Sequence, residues 1–144
     1  MRNPAVLAWR SHLALALLGL GRRDEALELA RQEVELARAW GAPRPLGVAL
    51  RTLGFAEDGE DGIATLRDSL AVLDSSSAKL ELGRTLVQLG AFLRSAGRGR
   101  EAEQLLKRGL DLALRSGSRP LVGEAEAELV LISPGDLPQA VAAE

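Results

Sequence analysis

The chain has 144 residues, of which 29 are Leu and 23 are Ala, while Ile, Val and Thr together supply 13, a balance that favours helices over sheet. Its 18 basic and 20 acidic residues leave no surplus of positive charge for a phosphate backbone, so no direct nucleic-acid binding is expected. Zero cysteines and one histidine, His12, remove thiol nucleophiles, disulfide frameworks and zinc sites, and a chain of this length buries enough apolar surface to need no such staple.

The first predicted helix runs from Pro4 to Leu20. Its apolar run Leu13 to Leu20 superficially resembles a signal peptide, but it follows Arg10-Ser11-His12, and the same pattern recurs deep in the chain. A membrane span takes about 20 apolar residues, so a cytoplasmic protein without a membrane segment is expected. The second helix runs from Asp24, an N-cap candidate, to Trp40, with Gly41 as its stop and Leu27, Ala30, Val34 and Ala37 at helical spacing. Two shorter helices follow, Pro45 to Glu57 and Gly62 to Asp74, then Ser77 to Ala96 and Arg100 to Ser116 about the turn Gly97-Arg98-Gly99. A seventh, Pro120 to Ile132, places Val122, Ala125, Leu129 and Ile132 on one face, and Ser133 to Pro138 breaks it.

An internal repeat organises these elements. Ala14, Leu17, Gly21 and Ala26 are answered, all at one constant offset, by Gly90, Leu93, Gly97 and Ala102, and the same offset carries Gly41-Ala42-Pro43 onto Gly117-Ser118-Arg119. Leu53-Gly54 lies near the middle of the interval between Leu13-Ala14 and Leu89-Gly90, giving a third copy between them. The stretch from Gly54 to Gly62 is about one helical turn shorter than its equivalents, Ala14 to Ala26 and Gly90 to Ala102, so the middle helices should be shorter. The expected fold is all-α: a right-handed α-solenoid of three helix pairs and a C-terminal capping helix. It forms one domain over 1–132, with units at about 4–42, 43–76 and 77–118, a cap at 120–132, and a tail or linker at 133–144.

The small residues Ala14, Gly54 and Gly90, with Ala26 and Ala102 opposite, resemble the packing signature of the tetratricopeptide repeat, most fully at Leu86, Leu89-Gly90, Leu93, Gly97, Ala102, Leu106 and Leu110. More specifically, Ala39-Trp40-Gly41-Ala42-Pro43-Arg44-Pro45-Leu46, Leu50-Arg51-Thr52-Leu53-Gly54, Gly97-Arg98-Gly99-Arg100-Glu101-Ala102 and Arg108-Gly109-Leu110-Asp111-Leu112-Ala113 are similar to the helical-repeat region of large ATP-binding regulators of the LuxR family, of the maltose-regulator type. The similarity covers roughly residues 5 to 130. It implies a signal-receiving module that serves an ATPase and a helix-turn-helix domain. Neither a G-x-x-x-x-G-K-[ST] loop nor a DNA-reading domain stands in this chain, so the family's ATP and promoter chemistry is carried onto no residue here.

No catalytic or metal site is expected. The acidic run Glu57-Asp58-Gly59-Glu60-Asp61-Gly62 misses the calcium-loop pattern and reads as a solvated helix start. Ser76 and Lys79 form S-x-x-K without its companion motifs, which favours a capping serine. His12 and Ser11 are sequence neighbours that point apart on a helix. Gly97-Arg98-Gly99-Arg100 and Gly21-Arg22-Arg23 read as recurring interhelical turns rather than phosphate cradles, and Trp9 and Trp40 as packing more than binding residues. The resemblance places Ser11, Leu15, Val48, Arg51, Phe55, Arg84, Val87, Ala91 and Arg94 on a concave groove. Its expected occupant is a protein or peptide partner, the other domains of a parent regulator, or a small anionic ligand held by arginine. A solvated, mildly basic face without a dedicated ligand is the plainer alternative. No cofactor is expected. A homodimer through an apolar face of the first or last helix remains open, as does a stand-alone scaffold.

Overall fold

The computed structural model describes residues 9–132. Among these residues there are seven α-helices and no strand: α1 (Trp9–Gly19), α2 (Arg23–Trp40), α3 (Pro43–Glu57), α4 (Gly59–Asp74), α5 (Lys79–Ser95), α6 (Gly99–Ser116) and α7 (Arg119–Val130). The expected start of the first helix, Pro4 to Ala8, and the tail after Ile132 lie outside the described residues. The chain forms two compact units, one ending at Glu81 and the other beginning at Leu82, so the boundary falls in the first turn of α5.

The first unit holds two helix pairs, and small residues set how closely their axes approach. A Cβ added at Gly54 on α3 would lie 2.7 Å from Leu66 Cγ and 3.0 Å from the Gly62 carbonyl on α4. Gly47 meets Leu73 of α4 in the same way, so residue numbers run oppositely along the two helices and the pair is antiparallel. Ser69, fully buried on α4, donates its hydroxyl to the Gly47 carbonyl at 2.7 Å. In the α1–α2 pair Ala14, Ala26 and Ala30 are fully buried together with Ala56 of α3. Val34 and Ala37 of α2 continue this contact onto Ala49 and Leu50 of α3.

The second unit repeats the device. A Cβ at Gly90 on α5 would stand 2.6 Å from Leu106 Cγ on α6, and one at Gly109 would stand 2.8 Å from Val87 Cγ2. Leu86, Leu89, Leu93 and Leu106 are fully buried around these glycines, each contributing about 1.5–3 kcal/mol of burial. The capping helix α7 lays Leu121 and Ala125 on this core. Its buried stripe therefore differs from the expected one: Val122 and Leu129 are only half-buried, and Ile132 falls beyond the helix end.

The turns carry the repeat at atomic level. The amide of Arg22 donates to the Leu17 carbonyl and that of Arg98 to the Leu93 carbonyl, each at 2.8 Å. Gly41 ends α2 with φ of 83°, and Gly117 ends α6 at 69°, left-handed conformations that L side chains adopt at a cost. The expected Asp24 N-cap is absent: Arg22 is the capping residue, and none of its side-chain atoms makes a cap bond. The chain leaves the Gly21 turn already helical at Arg23, so Asp24 lands in the first turn, where its carboxylate still favours the helix dipole.

The middle pair is shorter, as the spacing predicts, at 15 and 16 residues against 18 in α2 and α6. Both of its helices begin earlier than expected, α3 at Pro43 and α4 at Gly59. Asp58, with φ of 60° and ψ of 176°, and Gly59, with φ of 56°, reverse the chain between them. The first of these conformations is open almost exclusively to glycine, so Asp58 holds local strain. The short spacing from Gly54 to Gly62 leaves no room for a longer turn.

Candidate binding faces

The nine groove residues fall on the first helix of each pair, and the two units are described separately. In the first unit, Leu15 on α1 is 43% exposed, while Ser11 is buried at 3% and turned into the protein. On α3, Val48, Arg51 and Phe55 recur at helical spacing and are half-buried. Arg51 is already engaged: its Nη1 lies 2.8 Å from Glu81 Oε2, with the two side chains 12% and 9% exposed, and it also donates to the Glu81 carbonyl at 3.3 Å. Arg44 approaches the same carboxylate at 3.9 Å from a far more exposed position.

In the second unit, Arg84 on α5 is exposed and Ala91 half-buried. Val87 is buried at 2% against Gly109. Arg94 pairs with Glu128 of α7, Nε to Oε2 at 2.6 Å. Arg51 and Arg94 therefore carry an internal carboxylate. An anion could engage Arg51 only by displacing a buried partner, and removing one member of such a pair costs about 3–5 kcal/mol. What the two faces offer a partner is mostly side-chain surface of mixed polarity: Leu15, Val48 and Phe55 on one, Arg84 and Ala91 on the other.

The remaining sequence candidates are occupied by structure. Arg22 pairs with Glu25 and Arg98 with Glu101, so the two glycine-arginine turns carry the same internal ion pair at equivalent positions of the repeat. The Glu25 carboxylate raises the pKa of Arg22 further, through their hydrogen bond and then its charge. Ser76 donates to the Leu73 carbonyl at 2.8 Å and accepts from the Ala78 amide, closing the α4–α5 turn. At the acidic run, Glu60 and Asp61 form the first turn of α4, and Thr65 donates to Glu57 at 2.7 Å. Arg23 extends from α2 to this place and donates to the carbonyls of Ala56, at 2.7 Å, and Glu57, capping the C-terminus of α3. Among the described residues no group of three or more His, Asp or Glu side chains is arranged to hold a metal ion. No described helix is long and apolar enough to cross a membrane. Trp9 is 45% and Trp40 39% exposed, so neither is a buried filler, and the Arg10 guanidinium lies over the Trp9 ring at 4.4 Å from its centroid.

Sequence reasoning missed Glu81 and Glu128 as partners of Arg51 and Arg94. It also missed Glu33 on α2, 2% exposed and 3.8 Å from Arg10. Burial raises the pKa of Glu33, and the Arg10 charge offsets this only in part. The signal available was the placement of Glu33 on the inward stripe next to Val34, a position where an unpaired carboxylate is expensive.

The tetratricopeptide repeat family model matches residues 6–39 and 82–116. The two matched segments are separated by the same offset that relates Ala14 to Gly90, and they contain the α1–α2 and α5–α6 pairs. The middle pair, with its compressed turn, lies outside them. The chain thus carries a tetratricopeptide-like repeat region, and repeats of this kind generally bind protein or peptide partners in proteins that are typically non-enzymatic. Among curated proteins, none matches this chain.

Proposed function

We propose that this chain is a non-enzymatic protein–protein interaction or signal-sensing module of the cytoplasm, a portion of the helical-repeat region of a LuxR-family regulator whose ATPase and helix-turn-helix lie elsewhere. The observation that carries the interaction role is the pair of repeat matches in register with the helix pairs. The regulator assignment rests on the motif resemblance from Ala39 to Ala113. A polypeptide partner suits the two faces better than a small anion, because Arg51 and Arg94 already hold Glu81 and Glu128.

Two measurements test this. The genomic reading frame around the chain should encode an ATP-binding domain and a helix-turn-helix; a frame with neither replaces the regulator assignment by the stand-alone scaffold. Cross-linking and mass spectrometry from the source cell, followed by reconstitution with the purified partner, should show contacts at Arg84 and Ala91 that Arg84→Glu with Ala91→Glu abolishes. Unchanged binding by that variant would remove the second-unit face from the proposal.

A further inference from the structure

We propose that α1 is held by a proton: it seats on α2 while the Glu33 carboxyl is neutral and undocks as that carboxyl ionises, leaving α2 in place on α3. The inference concerns how the first unit holds together and is independent of what its face binds. It begins from the repeat register. The offset that carries Ala14 onto Gly90 also carries Ser11 onto Val87 and Glu33 onto Gly109. In the second unit this level is an apolar contact, with Val87 2% exposed and its Cγ2 2.8 Å from the place a Gly109 Cβ would take. In the first unit the same level holds a hydroxyl and a carboxyl, both buried. Among the described residues, Ser11 Oγ, Glu33 Oε2 and the neighbouring Arg10 Nε are buried without a hydrogen-bond partner. Buried polar groups ordinarily find partners, and an orphaned one costs the full loss of its hydration. Three together mark a level where packing alone does not account for the residues present.

The charge on Glu33 decides how costly this level is. Among the described residues, Arg10 of α1 is the charged group that faces it, Nη1 to Oε2 at 3.8 Å, too long for a hydrogen bond. The Arg10 guanidinium also stacks on the exposed Trp9 ring and borders an open cavity of about 310 Å³ with Gln32, the exposed Glu35 and Leu36, so water shares its charge. From α3 the residues that meet α2 are Leu46, Ala49, Leu50, Leu53 and Ala56, none of them titratable. The turns of α2 on either side of Glu33 present Leu29, Ala30, Leu36 and Ala37. An ionised Glu33 is thus desolvated against a partial counter-charge, and burial raises its pKa. Undocking α1 returns the carboxylate to water. The seat is slight enough to open by itself: the described part of α1 buries Ser11, Ala14 and Leu17, where α5 buries Leu82, Leu86, Leu89 and Leu93. Meanwhile α2 keeps its own hold on α3, through Val34 and Ala37 on Ala49 and Leu50 and through Arg23 on the last carbonyls of α3. The docked carboxyl binds its proton more tightly than the undocked one. Docking is therefore strongest below the undocked pKa and weakens as pH climbs to the docked one, the opening constant growing by at most about tenfold per pH unit for a single proton.

Hydrogen exchange on the full chain from about pH 4 to pH 8, with each rate referred to its intrinsic value at that pH, tests this. Protection of the Leu13 to Gly19 amides should lie below that of α3 at every pH and fall as pH rises, by up to about tenfold per unit. Glu33→Gln should abolish the fall in α1, and Arg10→Met should extend it to higher pH by removing the compensating charge. Equal protection in α1 and α3 overturns the proposal, since α1 then opens only with the whole unit. So does α1 protection that stays constant with pH in the native chain, or that falls alike in the Glu33→Gln chain.

Discussion

Replacing Gly90 with alanine brings a methyl group 2.6 Å from Leu106 Cγ and 2.8 Å from its Cδ2, where carbon atoms prefer about 3.5–4.0 Å. Overlap of roughly 1 Å against a fully buried leucine branch point forces the two helices apart, at about 1–3 kcal/mol. Alanine returns about 0.8–1.0 kcal/mol in a helix interior, so Gly90→Ala should destabilise by up to about 2 kcal/mol. Leu106→Ala alone should cost about 2–5 kcal/mol for the cavity it opens. The double variant recreates the α1–α2 pair, where Ala14 faces Ala30 in the positions that Gly90 and Leu106 occupy. There the methyl enters space that Leu106 has vacated, and Gly90→Ala changes sign to become stabilising by about 1 kcal/mol. Urea titrations followed by circular dichroism, with equal slopes across the four proteins, measure the cycle. An effect of Gly90→Ala with the same sign and size in both backgrounds would refute the close approach as the reason for glycine.

Four further outcomes are expected. Arg51→Ala or Glu81→Ala should each cost about 3–5 kcal/mol in urea midpoint terms, whereas Asp111→Ala, which breaks the exposed Arg115 pair, should cost less than about 1 kcal/mol. Glu33→Gln should gain stability on the native chain as pH rises above the ordinary carboxylate range. The folded pKa of Glu33 is raised, so its favourable contribution is complete below the unfolded pKa and fades as pH climbs through the folded one; a constant difference across a pH series of urea midpoints would contradict this. Gly41→Ala should lower stability by about 1–2 kcal/mol, because α2 ends in a left-handed conformation. Asp58→Gly should raise it by about 1 kcal/mol or more by relieving the strained turn between α3 and α4, and thermal melts compare these two directly.

The helix pairs were legible because their information is local and periodic. Gly54 and Gly90 sit at spacings that only a close helix contact explains, and both lie under leucines of the partner helix. The helix starts were less legible, since their signal is a side-chain cap that these turns do not use: Asp24 and the run before Gly62 resemble caps, yet the chain enters α2 and α4 through backbone geometry. The candidate faces were legible as positions and not as chemistry. Arg51 and Glu81 are 30 residues apart and Arg94 and Glu128 are 34 apart, so no motif joins them. Only the packing of one helix against another brings the carboxylates within reach. Ser11 and Val87 illustrate the same limit, because a small rotation of a helix turns a groove residue into a core one.

Arg23 adds a polar connection to the alanine and leucine contacts that join the two helix pairs of the first unit. Its guanidinium leaves the first turn of α2 and holds the last carbonyls of α3, so one side chain from the first helix pair completes the end of a helix in the second. In a linear array each module melts independently unless something transmits order across the junction. Loss of the first pair would strand the Ala56 and Glu57 carbonyls at the point where Asp58 is already strained. Arg23 thereby adds a polar tie to the apolar packing of α2 on α3, so its loss should weaken the coupling between the two pairs.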